Sequence, residues 1–129
     1  QSPASAAAQQ VAAQSAESQV PRITVEELKK LIADGQVVVL DVRTADAYKI
    51  EHIKGSMSLP LDKITAGEYK DLPRDKRIVT YCSCGTEHTS AAAGVLLEKA
   101  GFKNVAALLG GTNAWKNSGG EMEKAPPKA

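Results

Sequence analysis

RIVTYCSCGTEHTSAAAGVLLEKAG, residues 77–101, contains the change of periodicity on which the reading of the whole chain turns. Its first five positions, Arg77–Tyr81, make a short apolar run of the kind found in strands buried on both faces of a sheet. From residue 87 to 100 the apolar positions Ala92, Val95, Leu96 and Ala100 recur at helical spacing, and Gly101 supplies the stop. Between strand and helix lie both cysteines of the chain, Cys82 and Cys84, together with Gly85 and His88. Such a loop belongs to an α/β fold, where it emerges at the C-terminal end of its strand.

The flanking sequence repeats this alternation. Thr24, with Glu27 three residues on, forms a capping box that starts a helix over Val25–Asp34, and Gly35 ends it. Residues 37–40, VVVL, read as a central parallel strand. Thr44 caps a short helix running to Ile50, residues 56–59 form a short strand ended by Pro60, and 61–69 hold a helical turn or two. Further on, 104–108 is a strand, Gly110-Gly111 a turn, and 112–116 the start of a last helix. Strands separated by helices imply right-handed crossovers, so residues 22–119 are expected to form one α/β domain: a central, mostly parallel sheet with helices on both faces. Ligands bind such sheets beyond the C-terminal strand ends, here residues 41–43, 82–88 and 109–111.

Composition agrees with one small domain. The chain has 129 residues, 43% of them hydrophobic, enough for a single core. Sixteen basic and 15 acidic residues leave a net charge of +1, without the clustered Lys/Arg and aromatics that track a phosphate backbone. This argues against nucleic acid and anionic membrane as partners. No apolar run approaches the roughly 20 residues that cross a bilayer. Residues 1–21 are rich in Ala, Gln and Ser and are expected to be a flexible leader; 120–129, with Pro126 and Pro127, a flexible tail. That leader, without an initiator Met, raises the expectation of an exported protein, periplasmic or extracellular, whose signal peptide has been removed.

A cysteine that ends a buried strand and precedes a helix N-terminus has unpaired backbone amides and the positive end of a helix dipole near its sulfur, which favours the thiolate. Gly85 allows the chain to bend around Cys82, and Thr86 or Thr89 can cap the helix. A cradle of N–H groups suits a sulfur that carries a further atom, such as an outer sulfur or an oxyanion. A buried structural cysteine is the alternative.

Four stretches together resemble the single-domain rhodanese-like family: Leu40-Asp41-Val42-Arg43, Glu51-His52-Ile53-Lys54-Gly55-Ser56, Tyr81-Cys82, and Leu109-Gly110-Gly111 followed by Trp115. The resemblance implies a five-stranded parallel sheet and a sulfurtransferase in which Cys82 accepts sulfane sulfur as a persulfide and passes it on. The implied partners are a small donor (polysulfide, persulfide or thiosulfate) and a thiol or cyanide acceptor, with no cofactor and no metal. Ser83, Cys84, Gly85, Thr86, Glu87 and His88 make the candidate substrate-binding loop. Asp41, Arg43 and His52 are expected to hold loops together, and Trp115 to serve the core. Relatives proficient with thiosulfate commonly read Cys-x-x-Gly-x-Arg, whereas here Glu87 stands at the arginine position, so weak thiosulfate activity is expected. The related phosphatases and arsenate reductases, Cys-x5-Arg, would need arginine where this chain has His88. Two other readings stay open: a thiol redox protein pairing Cys82 with Cys84, and a binding module, for a partner or for a metal held by Cys82, Cys84 and His88.

Overall fold

The computed structural model describes residues 20–70, 72–73, 75–83 and 88–124, residue 88 by its backbone alone. In chain order the elements are β1 (Arg22–Ile23), α1 (Val25–Asp34), β2 (Val37–Asp41), α2 (Ala45–Ile50), β3 (His52–Ile53), β4 (Met57–Ser58), α3 (Leu61–Thr65), β5 (Arg77–Tyr81), α4 (His88–Lys99), β6 (Val105–Leu108), α5 (Gly111–Asn117) and β7 (Met122–Glu123). Five strands form one parallel sheet in the order β1-β6-β5-β2-β4. Each neighbouring pair therefore needs a crossover, and the helices supply most of them.

Local signals start and stop these elements as their chemistry requires. The Thr24 hydroxyl accepts from the Glu27 amide at 3.2 Å while the Glu27 carboxylate accepts from the Thr24 amide at 3.2 Å, and Gly35 closes α1 at φ 69°. Thr44 caps α2 by accepting from the Ala47 amide at 3.2 Å. Along the central strands, side chains alternate between two cores. Val39, Val79 and Ala106 join Leu28 of α1 and Trp115 of α5 on one face; Leu40, Ile78 and Val105 join Ile64 of α3 and Leu97 of α4 on the other. Helices cover both faces.

The ordered core extends past both limits read from the sequence. Val20 is 1% exposed, with a methyl close to Gly94, and the Pro21 carbonyl accepts from the Ala107 amide at 2.8 Å, so neither belongs to a leader. At the other end β7 pairs antiparallel with β3, His52 opposite Glu123 and Ile53 opposite Met122, and residues 120–124 are not a loose tail. The cause is Trp115: its buried indole N–H needs an acceptor and finds the Glu121 carbonyl at 2.8 Å, while Gly120 lies flat against the ring. Residues 1–19 and 125–129 lie outside the described residues. Among the described residues no helix is long and apolar enough to cross a membrane.

Candidate active site

Alternation along β5 sends Tyr81 into one core and Cys82 into the other. The Cys82 residue is 2% exposed, and its sulfur lies 3.8 Å from the Ser90 hydroxyl in the first turn of α4. The sulfur thus sits beside the positive end of a 12-residue helix, the environment that favours a thiolate. Cys82 is among the residues that line a cleft of about 510 Å³. Val42 and Arg43 follow β2 into this cleft, Thr44 and Ala47 come from the start of α2, Pro60, Leu61 and Asp62 from the start of α3, and Ser83 and Thr89 flank the thiol.

The Gly110-Gly111 turn presses against the same residue from behind. A Cβ on Gly111, whose φ is +57°, would meet the Cys82 carbonyl oxygen at 2.0 Å, and that oxygen accepts from the Thr112 amide at 3.1 Å. Only glycine allows that approach.

A buried polar network holds the cleft's floor. Asp41, fully buried, accepts from the Arg43 amide at 2.9 Å, from its Nε at 2.9 Å and from its Nη2 at 2.6 Å. The same guanidinium donates to the Glu51 carbonyl at 2.6 Å and to the Ser83 hydroxyl at 3.3 Å. Arg43 therefore ties the thiol loop to the chain after α2, with its charge matched by Asp41. The Tyr81 hydroxyl donates to Asp41 at 2.9 Å, accepts from the Ile53 amide at 3.0 Å and lies 2.9 Å from the Ser56 hydroxyl. Burial, with the Asp41 carboxylate alongside, raises its pKa well above the ordinary phenol value despite the Ser56 bond.

His52 and Trp115 do not line the cleft. His52 stacks on Tyr48 with ring centroids 3.7 Å apart, donates from Nδ1 to the Tyr48 carbonyl at 2.9 Å, and turns Nε2 to Glu123 at 3.4 Å. Trp115 is 5% exposed in the other core. Cys84, Gly85, Thr86 and Glu87 lie outside the described residues, as does the His88 side chain. The Cys82–Cys84 pairing and the grouping of Cys82, Cys84 and His88 around a metal therefore fall outside as well. Among the described residues no group of three His, Cys, Asp or Glu could hold a metal ion.

The sequence points to neither Ser90 nor Asp62 as a site residue, and Tyr81 and Ser56 enter it only as members of the stretches that carry the family resemblance. For Ser90 a signal existed, a small hydroxyl on the first helical turn after the thiol; Tyr81 could have been found from strand alternation, which sets it opposite Cys82. Asp62 carries no sequence signal, because only the tertiary fold brings α3 to the loop.

A parallel α/β sheet with a thiol at the C-terminal end of its central strand defines a class of loop-based cysteine site. The rhodanese-like domain model matches residues 24–118, and the chain belongs to that family. It is 37% identical over 95 residues to a probable adenylyltransferase/sulfurtransferase, MoeZ, of Mycobacterium tuberculosis, covering 72% of this chain and 24% of that protein. The chain thus spans about a quarter of that relative's length. It is 33% identical over 91 residues to the thiosulfate sulfurtransferase GlpE of Coxiella burnetii, 70% of this chain and 81% of that one. The solution structure of the rhodanese-like domain of the Anabaena protein Alr3790 superposes with a TM-score of 0.71 at 30% identity, covering 84% of this chain and 86% of that one.

Proposed function

We propose that this domain is a sulfurtransferase, or persulfide carrier, in which Cys82 is the nucleophile. The observation that carries the reading is the placement of the Cys82 sulfur: at the end of β5, 3.8 Å from Ser90 in the first turn of α4, on the wall of a cleft. Relatives named as sulfurtransferases support it. In the first half-reaction the Cys82 thiolate attacks the outer sulfur of a persulfide or polysulfide. The donor S–S bond breaks, the donor thiolate leaves with the electron pair, and Cys82 becomes a persulfide. In the second, a thiolate or cyanide attacks that outer sulfur and the Cys82 thiolate departs. Sulfane sulfur moves and no external oxidant or reductant is consumed.

The donor is a persulfide or polysulfide rather than thiosulfate. Among the described cleft residues the cation is Arg43, whose guanidinium is bound to Asp41. A dianion gains little there, and Glu87 adds a further carboxylate to the loop sequence. Intact-mass spectrometry after polysulfide treatment tests the reading. Wild type is expected to gain one sulfur, removed by cyanide, and Cys82→Ser none; loading retained in Cys82→Ser would move the nucleophile elsewhere.

A further inference from the structure

We infer that Asp62 selects the sulfur donor by charge, so that the cleft takes an alkyl persulfide with a cationic tail and disfavours one with an anionic tail. The inference rests on the sulfur-transfer reading of the cleft and names the substrate class that reading leaves open.

Charge is the first part of the case. Asp62 is exposed in the first turn of α3 and lines the cleft that holds Cys82. Its side chain makes no hydrogen bond or ion pair to any other described residue, and the adjacent Lys63 faces Glu68 at 3.8 Å. Arg43, also lining the cleft, is neutralised at 2.6 Å by Asp41, which is fully buried behind it. The described residues thus leave one uncompensated negative charge at the cleft, that of Asp62.

Shape and polarity are the second part. Val42, Ala47, Pro60 and Leu61 give the cleft an apolar wall. A short hydrocarbon chain bonded to the sulfane sulfur is accommodated on that wall while the sulfur meets Cys82, and a charged group at its far end comes under the field of Asp62. An ammonium there is attracted and a carboxylate repelled. Thiosulfate offers neither the chain nor the cation.

Three persulfides with chains of similar length supply the test: those of cysteamine, 2-mercaptoethanol and 3-mercaptopropionate, whose tails at neutral pH are cationic, neutral and anionic. In each case the Cys82 thiolate takes the outer sulfur, the donor S–S bond breaks and the alkanethiolate leaves. Loading of Cys82 is followed by rapid mixing and intact mass. Wild type is expected to load faster from the cysteamine than from the mercaptopropionate persulfide by about tenfold, the preference shrinking at high salt. Asp62→Asn should lower that ratio and Asp62→Lys should lower it further, whereas Glu26→Gln, a charge loss on α1 and not among the residues lining the cleft, should leave the ratio as it is. Because the readout is a ratio between donors on one protein, a loss of folded protein cannot imitate it. A wild-type ratio near one, or a preference of unchanged size in both Asp62 variants, overturns the assignment and leaves sulfur transfer by Cys82 standing. Failure of all three donors to load wild-type Cys82 overturns the assignment and the sulfur-transfer reading together.

Discussion

Tyr81 and Cys82 are chain neighbours with opposite surroundings, and their roles divide accordingly. Burial, with the Asp41 carboxylate alongside, suppresses ionisation of the Tyr81 hydroxyl in the folded protein, although its bonds to the Ser56 hydroxyl and the Ile53 amide favour the anion. A phenol whose pKa is raised on folding contributes stability that is fully present below its ordinary value of about 10 and is lost as pH rises beyond it. Denaturant unfolding should therefore show stability falling above about pH 10, and Tyr81→Phe should flatten that part of the profile. The same substitution strips the buried Ile53 amide of its acceptor, costing about 1–3 kcal/mol at neutral pH; an unchanged midpoint would deny the hydroxyl its structural role. At the thiol loop the sequence carries a negative charge at Glu87. On the sulfur-transfer reading, the family resemblance implies an arginine where this loop sequence has Glu87, and a unit charge about 5 Å from a reacting anion at an effective dielectric of roughly 20 is worth ~3 kcal/mol, which screening reduces to a swing of about 2 kcal/mol. Glu87→Arg is expected to raise thiosulfate turnover roughly tenfold or more, less so at high salt. Steady-state rates identical to wild type at low and high salt would remove the charge explanation.

Among the elements, β5 and α4 bring the thiol to the helix N-terminus, and α5 fixes it from behind. The contact between Gly111 and the Cys82 carbonyl leaves no room for a side chain, and φ there is +57°. Gly111→Ala should lower stability by about 2 kcal/mol or more and slow sulfur loading by displacing Cys82; normal loading in a stable variant would show the turn to be a bystander. These elements were legible from sequence because each carries its own local chemistry: the Thr24/Glu27 box, the β-branched runs of β2 and β5, the helical period after the loop. The β3–β7 ribbon was not. Two-residue strands such as Met122–Glu123 have no periodicity to read, and this one exists because Trp115 needs an acceptor that only the fold supplies. Asp41, Arg43 and Cys82 stood out by type and position, whereas Ser90 and Asp62 owe their place at the cleft to long-range packing.

At the scale of the whole molecule, the parallel sheet separates a core that holds Trp115 and Met122 from a core that contains the thiol. The two are joined through the Asp41–Arg43–Tyr81 network and, beyond it, His52 and Glu123. Truncation after Gly119 removes β7, the acceptor of the Trp115 indole and the bond from the Lys54 amide to Glu121. It should cost about 1–3 kcal/mol for the stranded indole N–H alone, read as a lowered denaturation midpoint; an unaltered midpoint would make the ribbon dispensable. On the proposed reading, Cys82 carries sulfur between two partners. Its most direct test is a single turnover: load the protein with polysulfide, remove the excess, add cyanide, and measure thiocyanate and intact mass together. About one thiocyanate per loaded chain and return to the unmodified mass are expected, with neither in Cys82→Ser. A loaded Cys82 that cyanide leaves untouched, or thiocyanate released equally by Cys82→Ser, would contradict that reading.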